Sequence, residues 1–167
     1  LKNRQFIVVN SGSLYHESID TKVHKDLAQR FKGHYANIVQ NIKLKNTNQM
    51  INIAHGTGGA FLYLSTILDR EGLYIKLAES FQKLPHIDIV ARGHLHLFEH
   101  IHLPQLHLIQ VPCWMAYEPN KIVLKYYGRH QPDIGGVILL IDDADRIIIH
   151  HYLMEKVPII PNIHTIV

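Results

Sequence analysis

The residues whose types and spacing could do chemistry are histidines placed beside glycines at the ends of apolar runs. Gly93-His94-Leu95-His96 follows the apolar run at 87–90. If these residues continue the strand, His94 and His96 point to one side, roughly 6.6 Å apart along the chain. Two metal ions about 3.5–4 Å apart, each bonded to an imidazole at about 2.1 Å, suit that spacing. The two histidines need not share an ion. Gly93 lets the backbone turn close to such a site. On its own a Gly-His-x-His motif is weak, and taken alone it reads sooner as a strand end with two exposed histidines than as a metal site.

A second run, 50–54, ends in His55-Gly56-Thr57-Gly58-Gly59. His55 repeats the placement of His94. Gly56, Gly58 and Gly59 would let backbone N–H groups approach a phosphate, although the Lys-Ser/Thr ending of a P-loop is missing. A third histidine, His16, follows the apolar run 6–9 and the turn cluster Asn10-Ser11-Gly12-Ser13. That places it at the C-terminal edge of a sheet, where open α/β sheets bind ligands, or in a plain surface loop.

The elements that must carry these residues can be read from periodicity. Val23, Leu27 and Phe31 form one helical stripe behind Asp20-Thr21, which can cap it, and Gly33 ends it. Residues 39–44 and 50–54 flank a polar turn and predict a hairpin. Phe61, Leu64, Ile67 and Leu68 predict one helix; Leu73, Leu77, Phe81 and Leu84 predict a second, with Gly72 as a break and Pro85 as the stop. Leu95, Leu97, Ile101 and Leu103 alternate with His96, Phe98, His100 and His102, which predicts a strand with one apolar and one histidine face. Pro104-Gln105 turns it into a partner strand, 106–111. Residues 137–141 and 146–153 predict another hairpin around Asp142-Asp143-Ala144-Asp145, whose spacing is not that of an EF-hand loop. Cys113 reads as a packed thiol, and His100, His102 and His107 read as solvent-side strand residues.

With 167 residues, 47% hydrophobic and 19% charged, the chain suits one globular domain. No apolar run reaches the 18 or so residues of a membrane helix. No secretory signal pattern is visible at the start and there is one cysteine, so the expected compartment is the cytoplasm, with no membrane association. The net charge of +3 is compatible with a phosphorylated substrate. Lys121, Lys125, Tyr126, Tyr127 and Arg129 interleave basic and aromatic groups, as a nucleic-acid surface can. The 14 histidines are the unusual feature of the composition.

Taken together, strand-His55-Gly56, Asp88 and Gly93-His94-Leu95-His96 resemble the last two motifs of the calcineurin-like metallophosphoesterases. Ser11-Gly12-Ser13-Leu14-Tyr15-His16 is similar to a turn in phage and archaeal phosphoesterases of uncertain role. The resemblance implies an α/β fold: the C-terminal half of a metallophosphoesterase sheet sandwich flanked by helices, over residues 1–156; residues 157–167, with two prolines, read as a surface tail. It also implies that His55 and His94 bind one metal and His96 the other, that the ions are Mn²⁺, Fe, Zn²⁺ or Ni²⁺, and that a metal-bound hydroxide hydrolyses a phosphate ester. His16 is the one candidate for a catalytic role. The first three motifs of that superfamily (Asp-x-His, Gly-Asp-x-x-Asp, Gly-Asn-His-Asp/Glu) do not occur in these 167 residues. The expectation is therefore part of a larger two-metal enzyme, in keeping with Leu1 in place of Met. The alternative is a non-catalytic interaction or subunit module that keeps the fold, or a basic nucleic-acid-binding domain.

Overall fold

The computed structural model describes residues 8–10, 23–36, 39–45, 47–56, 65–114 and 132–155. Their elements run β1 (Val8–Asn10), α1 (Val23–Arg30), β2 (His34–Ala36), β3 (Val39–Lys43), β4 (Met50–Ala54), α2 (Ser65–Ser80), β5 (Ile89–Arg92), β6 (Glu99–Leu103), β7 (Leu106–Gln110), β8 (Gly135–Ile141) and β9 (Ile147–Leu153). The chain is α/β. Its centre is a five-stranded mixed sheet in the order β3-β4-β5-β7-β6. β4, β5 and β7 are parallel, and an antiparallel partner closes each side, β3 on β4 and β6 on β7. β1 and β2 form a parallel pair, and β8 and β9 an antiparallel ribbon.

β5 is buried on both faces, as a central parallel strand must be. On one face Val90, Leu106 and Leu108 meet Leu68 and Ile75 of α2, with Ile87 completing the core. On the other face Ile89 and Ile109 are fully buried. The hairpins at 39–54, 99–110 and 135–153 form as their sequences predict. In the last, the Asp142 carboxylate accepts the N–H groups of Ala144 and Arg146 at 3.0 and 2.9 Å, so Asp142 builds the turn.

Several elements differ from the sequence reading. β5 does not stop at Val90 but runs on to Arg92, because the guanidinium is itself buried: its Nε and Nη2 donate to Glu71 of α2 at 3.2 and 3.1 Å. Burial lowers the Arg92 pKa, against the opposing pull of Glu71. Gly72 does not break α2. It lies buried in mid-helix where a Cβ would stand 2.7 Å from Leu108 Cδ1, so it sets how closely helix and sheet approach. α1 ends through a left-handed Lys32 (φ 51) and not at Gly33 itself; Gly33 N–H reaches back to Ala28 O at 2.7 Å. The strand predicted from Leu95 begins only at Glu99, since His94 and His96 both have positive φ. The helical stripe at Phe61 and Leu64, the 121–129 stretch and the 157–167 tail lie outside the described residues. Among the described residues, no helix is long and apolar enough to cross a membrane.

Candidate metal centre

The parallel register puts the C-terminal ends of β4 and β5 side by side, Ala54 opposite Arg92. The next residues are His55-Gly56 on one strand and Gly93-His94 on the other. Each glycine serves the other strand's backbone. A Cβ on Gly93 would lie 3.2 Å from His55 O, and one on Gly56 3.2 Å from Gly93 O. Gly56 also has φ +90, a conformation that L side chains rarely adopt. Two small residues therefore let the strand ends close together, and the imidazoles of His55 and His94 meet. Nε2 of His55 lies 3.1 Å from Nδ1 of His94, with the rings edge to face at 5.1 Å.

His94 reaches this position through strain. Gly93 O accepts Leu95 N–H at 3.1 Å, and His94 between them has φ 78. This i to i+2 bond around a positive φ is a γ-turn of the rare, strained hand. His96 follows with φ 58, and its carbonyl accepts Asp133 N–H at 2.7 Å. The extended spacing assumed for His94 and His96 is thus replaced by two left-handed residues. Such residues persist where the surroundings hold them, often at functional sites.

The holding groups are visible. Gln110 Nε2 donates to Arg92 O at 3.0 Å and also to Gly93 O, fixing the carbonyls on which the turn hangs. Asp133, buried, accepts Phe98 N–H at 2.7 Å, while its own carbonyl accepts Cys113 N–H at 3.0 Å. Arg92 Nη1 donates to Asn52 O at 3.3 Å and so ties β4 to β5 just before the paired histidines. Sequence reasoning missed Arg92, Gln110 and Asp133. Only Arg92 carried a signal, as a charge inside an apolar run next to Gly93.

The His55–His94 contact is a hydrogen bond, so one of the two nitrogens carries a proton; with that proton displaced, the crossed rings, at 75° to one another, would let both lone pairs converge on a divalent transition metal. Two bonds of about 2.1 Å span a 3.1 Å gap between imidazole nitrogens. Among the described residues, no group of three or more His, Cys, Asp or Glu side chains is arranged to hold an ion. The structure therefore brings His55 and His94 together and, among the described residues, places no third metal-ligating side chain with them. His16, Gly58 and Gly59 lie outside the described residues; Gly56 faces the strand junction. Cys113 is a free, half-buried thiol whose backbone bridges to Ile134.

No family model and no curated protein matches the chain. Among solved structures it is similar to wild-type Vps29 of Entamoeba histolytica complexed with Zn²⁺, at 18% identity and a TM-score of 0.45, over 80% of this chain and 77% of that one. It is also similar to a single mutant of that protein, at 16% identity and a TM-score of 0.47, over 89% and 98%, and to a double mutant at 15% and 0.48, over 90% and 83%.

Proposed function

We propose that the chain is part of a two-metal-dependent phosphoesterase of the calcineurin-like kind, with His55 and His94 as ligands of one metal and His96 of the other. The observation that carries this reading is the 3.1 Å approach of His55 Nε2 to His94 Nδ1 at the ends of adjacent parallel strands. Bound divalent ions, Mn²⁺, Fe, Zn²⁺ or Ni²⁺, would activate water and neutralise the charge of a phosphate ester. The chain's own part is to hold its imidazoles in place. The γ-turn at His94 aims one ring, the Gly56–Gly93 contact brings the other to it, and Gln110 and Asp133 keep the turn from relaxing. A phosphorylated substrate, nucleic acid included, is the expected partner, and the cytoplasm the expected location.

A second reading is favoured by one observation, the lack of a third ligand among the described residues. It is a non-catalytic module that keeps the fold and binds metal weakly. Metal analysis after dialysis against Mn²⁺ tests the site. The 167-residue chain should retain Mn²⁺, His55→Ala and His94→Ala should lose it, and His100→Ala and His102→Ala should keep it. Equal loss in all four would replace the site with a diffuse histidine patch, and no retention by the parent chain would remove it. With bis-p-nitrophenyl phosphate and Mn²⁺ this chain should turn over weakly or not at all. Robust turnover abolished by His94→Ala would show that its site is complete.

A further inference from the structure

Away from the β4–β5 junction, three more histidines gather on the hairpin β6–β7, on the sheet face opposite α2. His102 is paired directly with His107 across the strands, and His100 lies diagonally beside it. Their rings stack: His102 on His107 at 4.2 Å and 9°, His100 on His107 at 5.3 Å and 13°, and His100 on His102 at 6.4 Å and 18°. His100 Nε2 and His107 Nδ1 are hydrogen-bonded at 3.0 Å, so one nitrogen carries a proton and the other offers a lone pair. Lone pairs lie in the ring planes, and those of parallel rings run side by side without converging on one ion. The arrangement is suited to sharing protons more than to ligating a metal.

We infer that the His100-His102-His107 stack is an acid-sensitive clasp, which holds edge strand β6 on the sheet while its imidazoles are neutral and releases it when they are protonated. If both His100 and His107 were protonated, their bonded nitrogens would both be donors and two cations would be pressed together. His107 resists protonation. Burial and the neighbouring His102 and His100 push its pKa down to about 4, against the opposing pull of Asp88. Burial, then His102, lowers that of His100.

The surrounding groups define what else titrates. Asp88 faces His107 from the start of β5, and His86 lies 3.3 Å from both Asp88 and Glu79. Asp145, Gln49 and Gln105 line the same cavity of about 360 Å³ as His86, Asp88 and His107. Glu79 at the end of α2 loses stabilising bonds in acid: burial raises its pKa, but the Ile87 N–H, Lys76 and His86 together leave it lowered. Glu99, on the other face of β6, has a pKa raised by burial and then by Asp69, so it acts in the opposite sense.

The sign follows from linkage. A histidine whose folded pKa lies below its unfolded value, 6.5 falling to about 4, binds more protons unfolded than folded between those values. Its contribution is complete above pH 6.5 and is lost as the pH falls toward 4. The full displacement corresponds to roughly thirtyfold in the opening equilibrium at pH 5, and solvent screening of a half-exposed ring reduces that to about tenfold.

Hydrogen exchange of the 167-residue chain, corrected for intrinsic rates, tests the clasp. From pH 7.5 to pH 5 the β6 amides should lose about tenfold in protection while the buried β5 amides change little. His107→Gln, and separately His100→Gln with His102→Gln, should remove that difference. Either double or single variant that folds decides the question, since the three rings act as one stack. The inference is overturned if β6 and β5 respond alike in the parent chain, or if the glutamine variants keep the acid-dependent loss, which would assign it to the surrounding carboxylates, Glu79 among them.

Discussion

At φ 78 an alanine should be worse than a glycine, which reverses the ordinary order and makes His94 a direct probe of the γ-turn. The comparison is His94→Gly against His94→Ala. Both remove the imidazole and its 3.1 Å contact with His55, so those losses cancel between them. What differs is the Cβ. Keeping a Cβ in the left-handed region costs about 1–2 kcal/mol. Against this, glycine leaves a more flexible unfolded chain, worth about 0.4–1 kcal/mol in favour of alanine at an unstrained site. The net expectation is that His94→Gly is the more stable variant by about 1 kcal/mol. With a urea slope of about 2 kcal/mol/M, its midpoint should lie about 0.5 M higher, with the slope unchanged. A midpoint for His94→Ala equal to or above that of His94→Gly would refute the strained turn, and with it the account of how His94 is aimed at His55.

Gly56→Ala should destabilise by about 1–2 kcal/mol, because a Cβ at φ +90 is strained and would also press on Gly93 O; unchanged or increased stability in a urea melt would contradict this. Gly72→Ala should cost about 1 kcal/mol, since overpacking against the fully buried Leu108, typically about 1–3 kcal/mol, outweighs a helix-propensity gain of about 1 kcal/mol; a higher melting temperature would show that Leu108 can move aside.

The parts of the fold legible in the sequence are those where one local pattern decides the outcome. The three hairpins follow from alternating runs joined by turn residues, and the 39–54 pair forms with Val39 opposite Ala54. The stretch 65–80 was harder because glycine carries two meanings. Gly72 reads as a helix break, yet here it marks a close approach to Leu108, and that contact involves a strand 36 positions later. Arg92 is a similar case. A charge ends an apolar run unless a partner is buried with it, and Glu71 lies on a helix whose packing no local pattern reveals. At the site, the sequence placed His55 and His94 at strand ends beside glycines, and the structure brings these two together. The conformation of the second motif was not legible, since an apolar–polar alternation around His96 imitates a strand. Positive φ at His94 and His96 depends on the remote Gln110 and Asp133, which hold the carbonyls and amides of that segment.

The placement of strain and support at this junction bears on why the motif has its particular form. A histidine in an ordinary extended conformation after Arg92 would keep to the alternation of β5, and no constraint would turn it toward the neighbouring strand. The γ-turn redirects it within one residue, and the cost is offset by hydrogen bonds that have no other evident use: Gln110 to the Arg92 and Gly93 carbonyls, Leu95 N–H to Gly93 O, Asp133 N–H to His96 O. Both glycines are needed for the same reason, since either Cβ would stand 3.2 Å from the opposing carbonyl and push the strand ends apart. Under the proposed function, a pair of imidazoles held this way would need little reorganisation to take an ion. The strained, supported turn at His94 and the crossed rings of His55 and His94 are what the parallel, stacked and mostly exposed histidines of β6–β7 lack, and on that difference we place the proposed metal at the β4–β5 junction.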